Sequence, residues 1–448
     1  MKTELNYKEF LEKLLRCANE EEISELVEDI HPADILDILH QNEDDFFKIL
    51  DLLPEWFLAD IVEEEDDEEK YELLKRFSEG KQKNILHEMS SDELTDLVGV
   101  LDEEESNDVL EKMDKEDRDD VNKLLSYKPD TAGGIMATEF VSIRENKTIE
   151  KTLKYLQKEG PEAETAYYLY VVDNDDILKG VVSLRDIVCN DFNTKISDIT
   201  NTNVISVPYY MDQEEVAQEF KKYGFLTIPV VDEKNKILGI VTVDDIVDVM
   251  EEETTEDIHR LGGVDEEERV DGTLKESIKS RLPWLIVNLV TAILAASVVG
   301  IFESTISKVV TLATFMPIVA GMGGNAGTQS LTIVVRGIAL GELTGENAKR
   351  VFLKELLVGL TTGIAIGFII AVLGFIWEGN VIFGIVIGVA MILNMMVATM
   401  AGYIVPVILK KLKIDPALAS AVFVTTVTDV LGFFFFLGLA TAFINYLI

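Results

Sequence analysis

The sequence predicts a multidomain chain: an all-α superhelical N-terminal domain, a tandem α/β pair, and an α-helical polytopic membrane domain with five transmembrane helices. Three observations carry this. Charge is divided sharply: from Pro283 onward there are 8 Lys+Arg and 7 Asp+Glu, so the totals of 40 and 81 leave 32 and 74, a net of -42, for residues 1–282. The neutral remainder holds five apolar runs, each long enough for a bilayer span of about 20 residues. The acidic part holds two kinds of internal repeat. Such an acidic surface excludes nucleic acid and anionic headgroups as natural partners and suits multivalent cations. Solubility alone is the plainer explanation.

Residues 1–128 read as an acidic helical-repeat domain. An apolar residue recurs with a period of 12, followed seven and eight positions later by an acidic or amide residue and an apolar one. Leu53/Asp60/Ile61, Phe77/Asn84/Ile85, Met89/Asp96/Leu97, Leu101/Asp108/Val109 and Met113/Asp120/Val121 follow it, with Glu65 in place of one leading apolar residue. Twelve residues make a helix and a tight turn, so the series predicts a short α-solenoid. Ser, Asp and Pro after each leading position read as N-caps or first-turn residues. The break at Tyr127–Gly134 reads as a linker. Cys17 and Cys189 match no ligand spacing, and the polar N-terminus predicts no cleavable signal peptide.

In residues 136–250, an apolar strand ending at Val172 leads through an acidic turn to a second strand and a helix start, Ser183-Leu184-Arg185-Asp186. Fifty-nine residues later the phrase returns, ending in Thr242-Val243-Asp244-Asp245. This doubled unit resembles a tandem pair of CBS domains. Such pairs commonly hold adenine nucleotides in the cleft between the repeats, which implies ATP as a regulator. A hydroxyl and carboxylate at a helix start suit ribose, and backbone N–H groups suit phosphate. By this resemblance Arg185, Asp186, Thr242 and Asp245 are candidates, with Tyr168 and Phe225 flanking the base. An empty structural pair is the alternative.

Residues 244–282 form an acidic linking region. Asp245, Asp248, Glu252 and Glu256 fall on one helical face, and Glu253 and Asp257 form an adjacent pair. Like charges so placed cost roughly 0.2–0.5 kcal/mol per pair unless a cation is bound. The membrane domain, 283–448, follows with runs at 283–302, 309–335, 353–377, 381–409 and 417–448. Arg336, Lys349, Arg350 and Lys354 follow the second run, and Lys410, Lys411 and Lys413 the fourth. The positive-inside rule therefore places the N-terminal domains in the cytoplasm and the C-terminus outside.

The last run contains one charged residue, Asp429, behind Thr425, Thr426 and Thr428. A charge at mid-bilayer costs roughly 2.5–3.5 kcal/mol on insertion scales, so it faces a partner or a polar path. The sequence is read as offering no basic partner and no second titratable group within the spans, which favours a mobile cation. The second run carries Pro317 and Gly323-Gly324-Asn325-Ala326-Gly327-Thr328-Gln329, a pattern for close helix approach or a local break. Helix packing would account for the glycines but not for the amides.

Taken in order, the acidic repeats, the doubled α/β unit, the acidic linking helix and the five spans resemble the MgtE family of magnesium channels over essentially the whole chain. The resemblance implies a homodimer in the cytoplasmic membrane with its pore between subunits, Asp429 at the ion site and Asp415 at the cytoplasmic mouth. It implies regulatory Mg²⁺ at Asp92, Asp96, Asp212, Glu214, Asp245, Asp248, Glu253, Glu256 and Asp257, closing the pore. Ala421 stands where other members place a small polar residue. The alternatives are a proton- or sodium-coupled transporter of Co²⁺, Mn²⁺ or Ni²⁺, and a nucleotide-sensing receptor that conducts nothing. No His, Cys or Ser constellation suggests an enzyme.

Overall fold

The computed structural model describes residues 7–17, 19–28, 30–41, 50–160, 163–265, 268–270, 272–418 and 420–448. It divides into two compact units, Met1–Val249 and Met250–Ile448.

The first unit opens with α1 (Tyr7–Leu14), α2 (Glu20–Val27) and α3 (Pro32–Gln41). Six helices then follow: α4 (Glu55–Glu63), α5 (Asp67–Leu74), α6 (Glu79–Glu88), α7 (Ser91–Val100), α8 (Glu103–Lys112) and α9 (Lys115–Leu124). Their first residues are spaced by 12 throughout, as the repeat requires. The phase is fixed by burial. Ile61, Leu73, Ile85, Leu97, Val109 and Val121 are all buried, and so are the leading residues Leu53, Phe77, Met89 and Met113. Pro54, Asp66, Ser78, Ser90, Asp102 and Asp114 occupy the N-cap positions. Of these only Asp102 accepts from first-turn amides, so apolar phase rather than capping sets the repeat.

The segment read as a linker is not loose. Thr131 to Gly134 are buried. Ala132 N–H donates to Met211 O at 2.7 Å and Gly133 N–H to Tyr209 O at 2.8 Å, which clamps the segment to the second α/β repeat.

Each α/β repeat is a three-stranded sheet: β1 (Phe140–Arg144), β2 (Thr165–Val172) and β3 (Leu178–Ser183), then β4 (Val207–Pro208), β5 (Thr227–Val231) and β6 (Ile237–Thr242). In both, the first pair is parallel and the second antiparallel. The registers superpose at the 59-residue offset: Tyr168 faces Ser183, and Thr227 faces Thr242. Even the left-handed turn residues correspond, Asp176 and Asn235. The helices are α10 (Ile149–Glu159), α11 (Leu184–Cys189), α12 (Ile196–Ile199) and α13 (Gln213–Tyr223), and α14 (Val243–Gly262) leaves β6.

The second unit contains α15 (Leu274–Ile301), α16 (Glu303–Lys308), α17 (Thr311–Ala339), α18 (Ala348–Glu378), α19 (Val381–Lys411), α20 (Ser420–Ala442) and α21 (Ile444–Leu447). Among the described residues four helices are long and apolar enough to cross a membrane: α15, α18, α19 and Ala421–Ala442 of α20. The fifth expected span corresponds to α17, whose glycines and amides dilute its hydropathy. It is nevertheless one continuous helix of 29 residues through Pro317 and the glycines, so of the two expected alternatives close helix approach is found, at Gly323 and Gly327, and a local break is not. The first run also begins earlier than its apolar pattern suggested. Thr273 and Glu276 form a capping box that starts α15 nine residues ahead of Pro283, which lies inside the helix. α19 is the hub of the unit and packs against α17, α18 and α20. Gly359, Gly363 and Gly367 of α18 lie against its backbone, the small-residue mode of close helix approach.

Candidate functional site

Three groups of predicted residues can be placed. In the second unit α17 and α20 meet along their polar motifs. A methyl on Gly324 would lie 3.9 Å from Thr425, and one on Gly327 3.5 Å from Thr428. Asp429 is half-buried on α20, while Asn325, Thr328 and Gln329 are exposed on α17. Thr425 Oγ1 donates to Ala421 O at 2.9 Å, Thr426 Oγ1 to Val422 O at 2.6 Å and Thr428 Oγ1 to Thr425 O at 2.9 Å. Their protons are thus committed to the helix, which leaves the hydroxyl oxygens of the half-buried Thr425 and Thr426 as acceptors, whereas Thr428 is fully buried. That set suits a hydrated cation, whose waters are donors.

The expectation of a single titratable group in the spans is corrected here. Glu355 on α18 is 3 % exposed and accepts from Ser330 Oγ of α17 at 2.8 Å. Lys354 Nζ lies 3.4 Å from its other oxygen. Both residues fall inside the third run, close to its start, where the apolar average conceals them.

A second group lies around α14 and the loop before α20. Asp415 accepts from Ala417 N–H at 2.9 Å and is paired with Arg260, which also pairs with Glu256 one turn earlier. Burial raises the Asp257 carboxyl above its usual range, Asp415 adds to this, and Arg336 opposes it. Sequence reasoning assigned the acids but missed the pairing of Arg260 with Glu256 and Asp415 and the effect of Arg336, read there only for topology, on Asp257. Arg260 stands one turn beyond Glu256 on the acidic stripe, which was the available signal.

The third group is in the first unit. Asp92 in the first turn of α7 is 7 % exposed. Burial pushes its carboxyl well above the usual range, and Asp245, Glu164 and Glu93 push it further. Asp245 is also raised by burial and by Asp244 and Asp248, against two bonds from Thr242: Oγ1–H at 2.5 Å and N–H at 3.1 Å. Glu63 joins the neighbourhood. Burial lifts it to about 7, although Ser90 N–H donates to it at 2.7 Å. The structure thus brings Asp92 and Asp245 together and adds Glu63, Glu93 and Glu164, none of which the pattern singled out. Asp96 is exposed one turn after Asp92. Asp212 caps α13, its Oδ1 accepting from Glu214 N–H at 3.0 Å. Asp248, Glu252 and Glu253 continue the stripe along α14. Two His–carboxylate groups also occur in the repeats, His40 with Glu65 and Glu69, and His87 with Asp114 and Asp117.

The nucleotide candidates divide. Ser183 Oγ–H donates to Asp186 at 2.6 Å, the counterpart of the Thr242–Asp245 bond in the second repeat. Asp186 and Arg185 are exposed, and Arg185 makes no ion pair among the described residues. Tyr168 faces Ser183 across the sheet, whereas Phe225 stacks on Tyr223 at 5.4 Å, in a different apolar cluster. Thr242 is buried and its proton is committed to Asp245. A cavity of about 280 Å³ lies elsewhere, lined by Lys123, Ser142, Asp176 and Lys236 among others.

A helical-repeat module, a doubled α/β module and a helical unit with a carboxylate in its last long helix are the parts of a divalent-cation transporter. Family models agree: residues 8–130 match the MgtE intracellular N domain, 132–190 and 196–252 match CBS domains, and 316–439 match a divalent cation transporter model. The chain belongs to the MgtE family. It is 37% identical to the magnesium transporter MgtE of Thermus thermophilus over 96% of this chain and 97% of that one. It is 36% identical to that of Bacillus subtilis, over 96% of each. The Enterococcus faecalis protein is 44% identical over 73% of this chain and 72% of its own. Among solved structures it resembles the cytosolic domain of the Mg²⁺ channel MgtE in complex with ATP, with a TM-score of 0.50 and 36% identity. That match covers 55% of this chain and all of the other.

Proposed function

We propose that this chain is a Mg²⁺ channel of the cytoplasmic membrane that imports Mg²⁺ and is closed by cytosolic Mg²⁺ at its acidic domains. The observation that carries the reading is Asp429, the one charge in the last long helix, half-buried among threonines whose protons are committed elsewhere. Mg²⁺ dehydrates reluctantly, so a carboxylate and hydroxyl oxygens acting on its water shell are a suitable site. α17 is taken as the fifth span, since 29 residues extend about 43 Å as a helix. Its exposed amides and the uncovered side of Asp429 support a second copy of the chain across the pore. The N-terminal domains are then cytoplasmic and the C-terminus outside, with domain limits as the sequence suggests. ATP at the repeat carrying Arg185 and Asp186 is the proposed modulator, in keeping with the ATP complex of the related cytosolic domain.

Flux of Mg²⁺ into liposomes tests the reading. Asp429→Ala is expected to abolish it while leaving the assembled protein intact, because a lone buried carboxylate is a cost to folding. Native flux in that variant rejects the ion site. The proton-coupled alternative draws on Glu355, a second buried carboxylate in the helical unit. Flux unchanged by an imposed proton gradient decides against it.

A further inference from the structure

At the centre of the second unit one side chain is both fully buried and half satisfied. Asn394 of α19 is 0 % exposed. Its Nδ2 donates to Val319 O of α17 at 2.8 Å, which fixes the orientation of the amide. Its Oδ1 is buried and has no hydrogen-bond partner among the described residues. An amide oxygen left so costs about 1–3 kcal/mol. The amide occupies a slot made by two glycines, Gly323 of α17 and Gly432 of α20. A methyl at Gly323 would collide with Nδ2, and one at Gly432 would come within 2.8 Å of Nδ2 and 2.9 Å of Oδ1. Gly432 lies three residues, less than one helical turn, beyond Asp429, so the orphaned oxygen is packed against the same stretch of α20 that carries the carboxylate.

We propose that Asn394 is a specificity-determining residue for the transported cation, its Oδ1 accepting a hydrogen bond from water in the hydration shell of the ion at Asp429. This rests on reading Asp429 as the ion site. The bond is available only to an ion that keeps its water, because the oxygen is buried behind Gly432 and a water must bridge it to an ion at Asp429. Mg²⁺ retains its shell more firmly than the larger Ca²⁺, whose coordination is looser and more variable. The slot therefore favours the smaller ion, and a Cβ at either glycine would close it.

The test compares Asn394→Ser and Asn394→Ala in full-length protein, by Mg²⁺ and Ca²⁺ flux into liposomes beside the native chain. The two variants leave nearly the same space and differ in one oxygen. The alanine variant is expected to lose about tenfold in the Mg²⁺/Ca²⁺ flux ratio, the equivalent of one hydrogen bond of about 1.4 kcal/mol. The serine variant is expected to keep most of the ratio. Equal loss in both would assign Asn394 to packing alone and overturn the proposal, as would a native ratio in the alanine variant. If neither small variant assembles, Asn394→Leu fills the slot without an oxygen acceptor: a lowered ratio supports the proposal and a native ratio overturns it. A native chain that carries no Mg²⁺ would instead reject the transport reading itself.

Discussion

Asp245 is a candidate for two ligands, and the structure shows why a single residue type cannot decide between them. Its carboxylate is held by Thr242 and lies next to Asp92, whereas its counterpart Asp186 remains exposed in the first repeat. The second repeat's carboxylate is thus part of the acidic neighbourhood, while Arg185 and Asp186 of the first, where ATP is proposed to bind, stay exposed. Glu63 makes that neighbourhood sensitive to pH. Its folded pKa of about 7 lies above the 4.5 of an ordinary glutamate. The stability it contributes is therefore fully present below about pH 4.5 and lost as pH rises through about 7, by about 3 kcal/mol at most. In Mg²⁺-free buffer the melting temperature is expected to fall between pH 5 and pH 8. Glu63→Gln should flatten that fall, and a slope equal to the native one would assign the effect to other carboxylates. None of this was legible in the sequence, where Glu63 is the first of seven consecutive acids and its partner is the amide of Ser90, the N-cap of another helix.

Among the elements α14 has the strongest consequence. Its acids Asp248, Glu253, Glu256 and Asp257 lie on a helix that continues to Arg260, whose guanidinium is shared between Glu256 and Asp415. Replacing the four acids by Asn and Gln removes both mutual repulsion and ligands. The expected outcome is a channel that stays conductive at cytosolic Mg²⁺ concentrations that close the native one, because salt screens repulsion between hydrated charges but not a coordinated ion. Closure without any Mg²⁺ would show that repulsion dominates instead. The helix itself was readable from its spacing, as were the twelve-residue repeat and the doubled sheet, since each follows a local period. Elements governed by distant contacts were not. Thr131 to Gly134 look like a linker until Met211 and Tyr209 accept their amides. Asn394 looks like one polar residue in an apolar run until Val319, Gly323 and Gly432 surround it.

For the whole molecule, charge is the dominant quantity. A net of -42 over residues 1–282 becomes -84 (2 × -42) in a dimer, and monovalent salt screens it only over about a Debye length. Mg²⁺ that binds the folded form stabilises it by about 2.7 kcal/mol at a hundred times its dissociation constant. Thermal melts at fixed ionic strength are expected to rise with Mg²⁺ and not with NaCl, and equal responses would reduce the effect to screening. The helix starts at 55, 67, 79, 91, 103 and 115 carry a different implication. Because each buried residue recurs at one position in twelve, a segment inserted within one of these helices would turn the apolar positions beyond it out of the core, whereas one inserted in a turn would leave each helix's own pattern intact. Change in the length of this module is therefore expected in whole repeats of twelve, with smaller insertions placed in its turns and at its ends rather than within its helices.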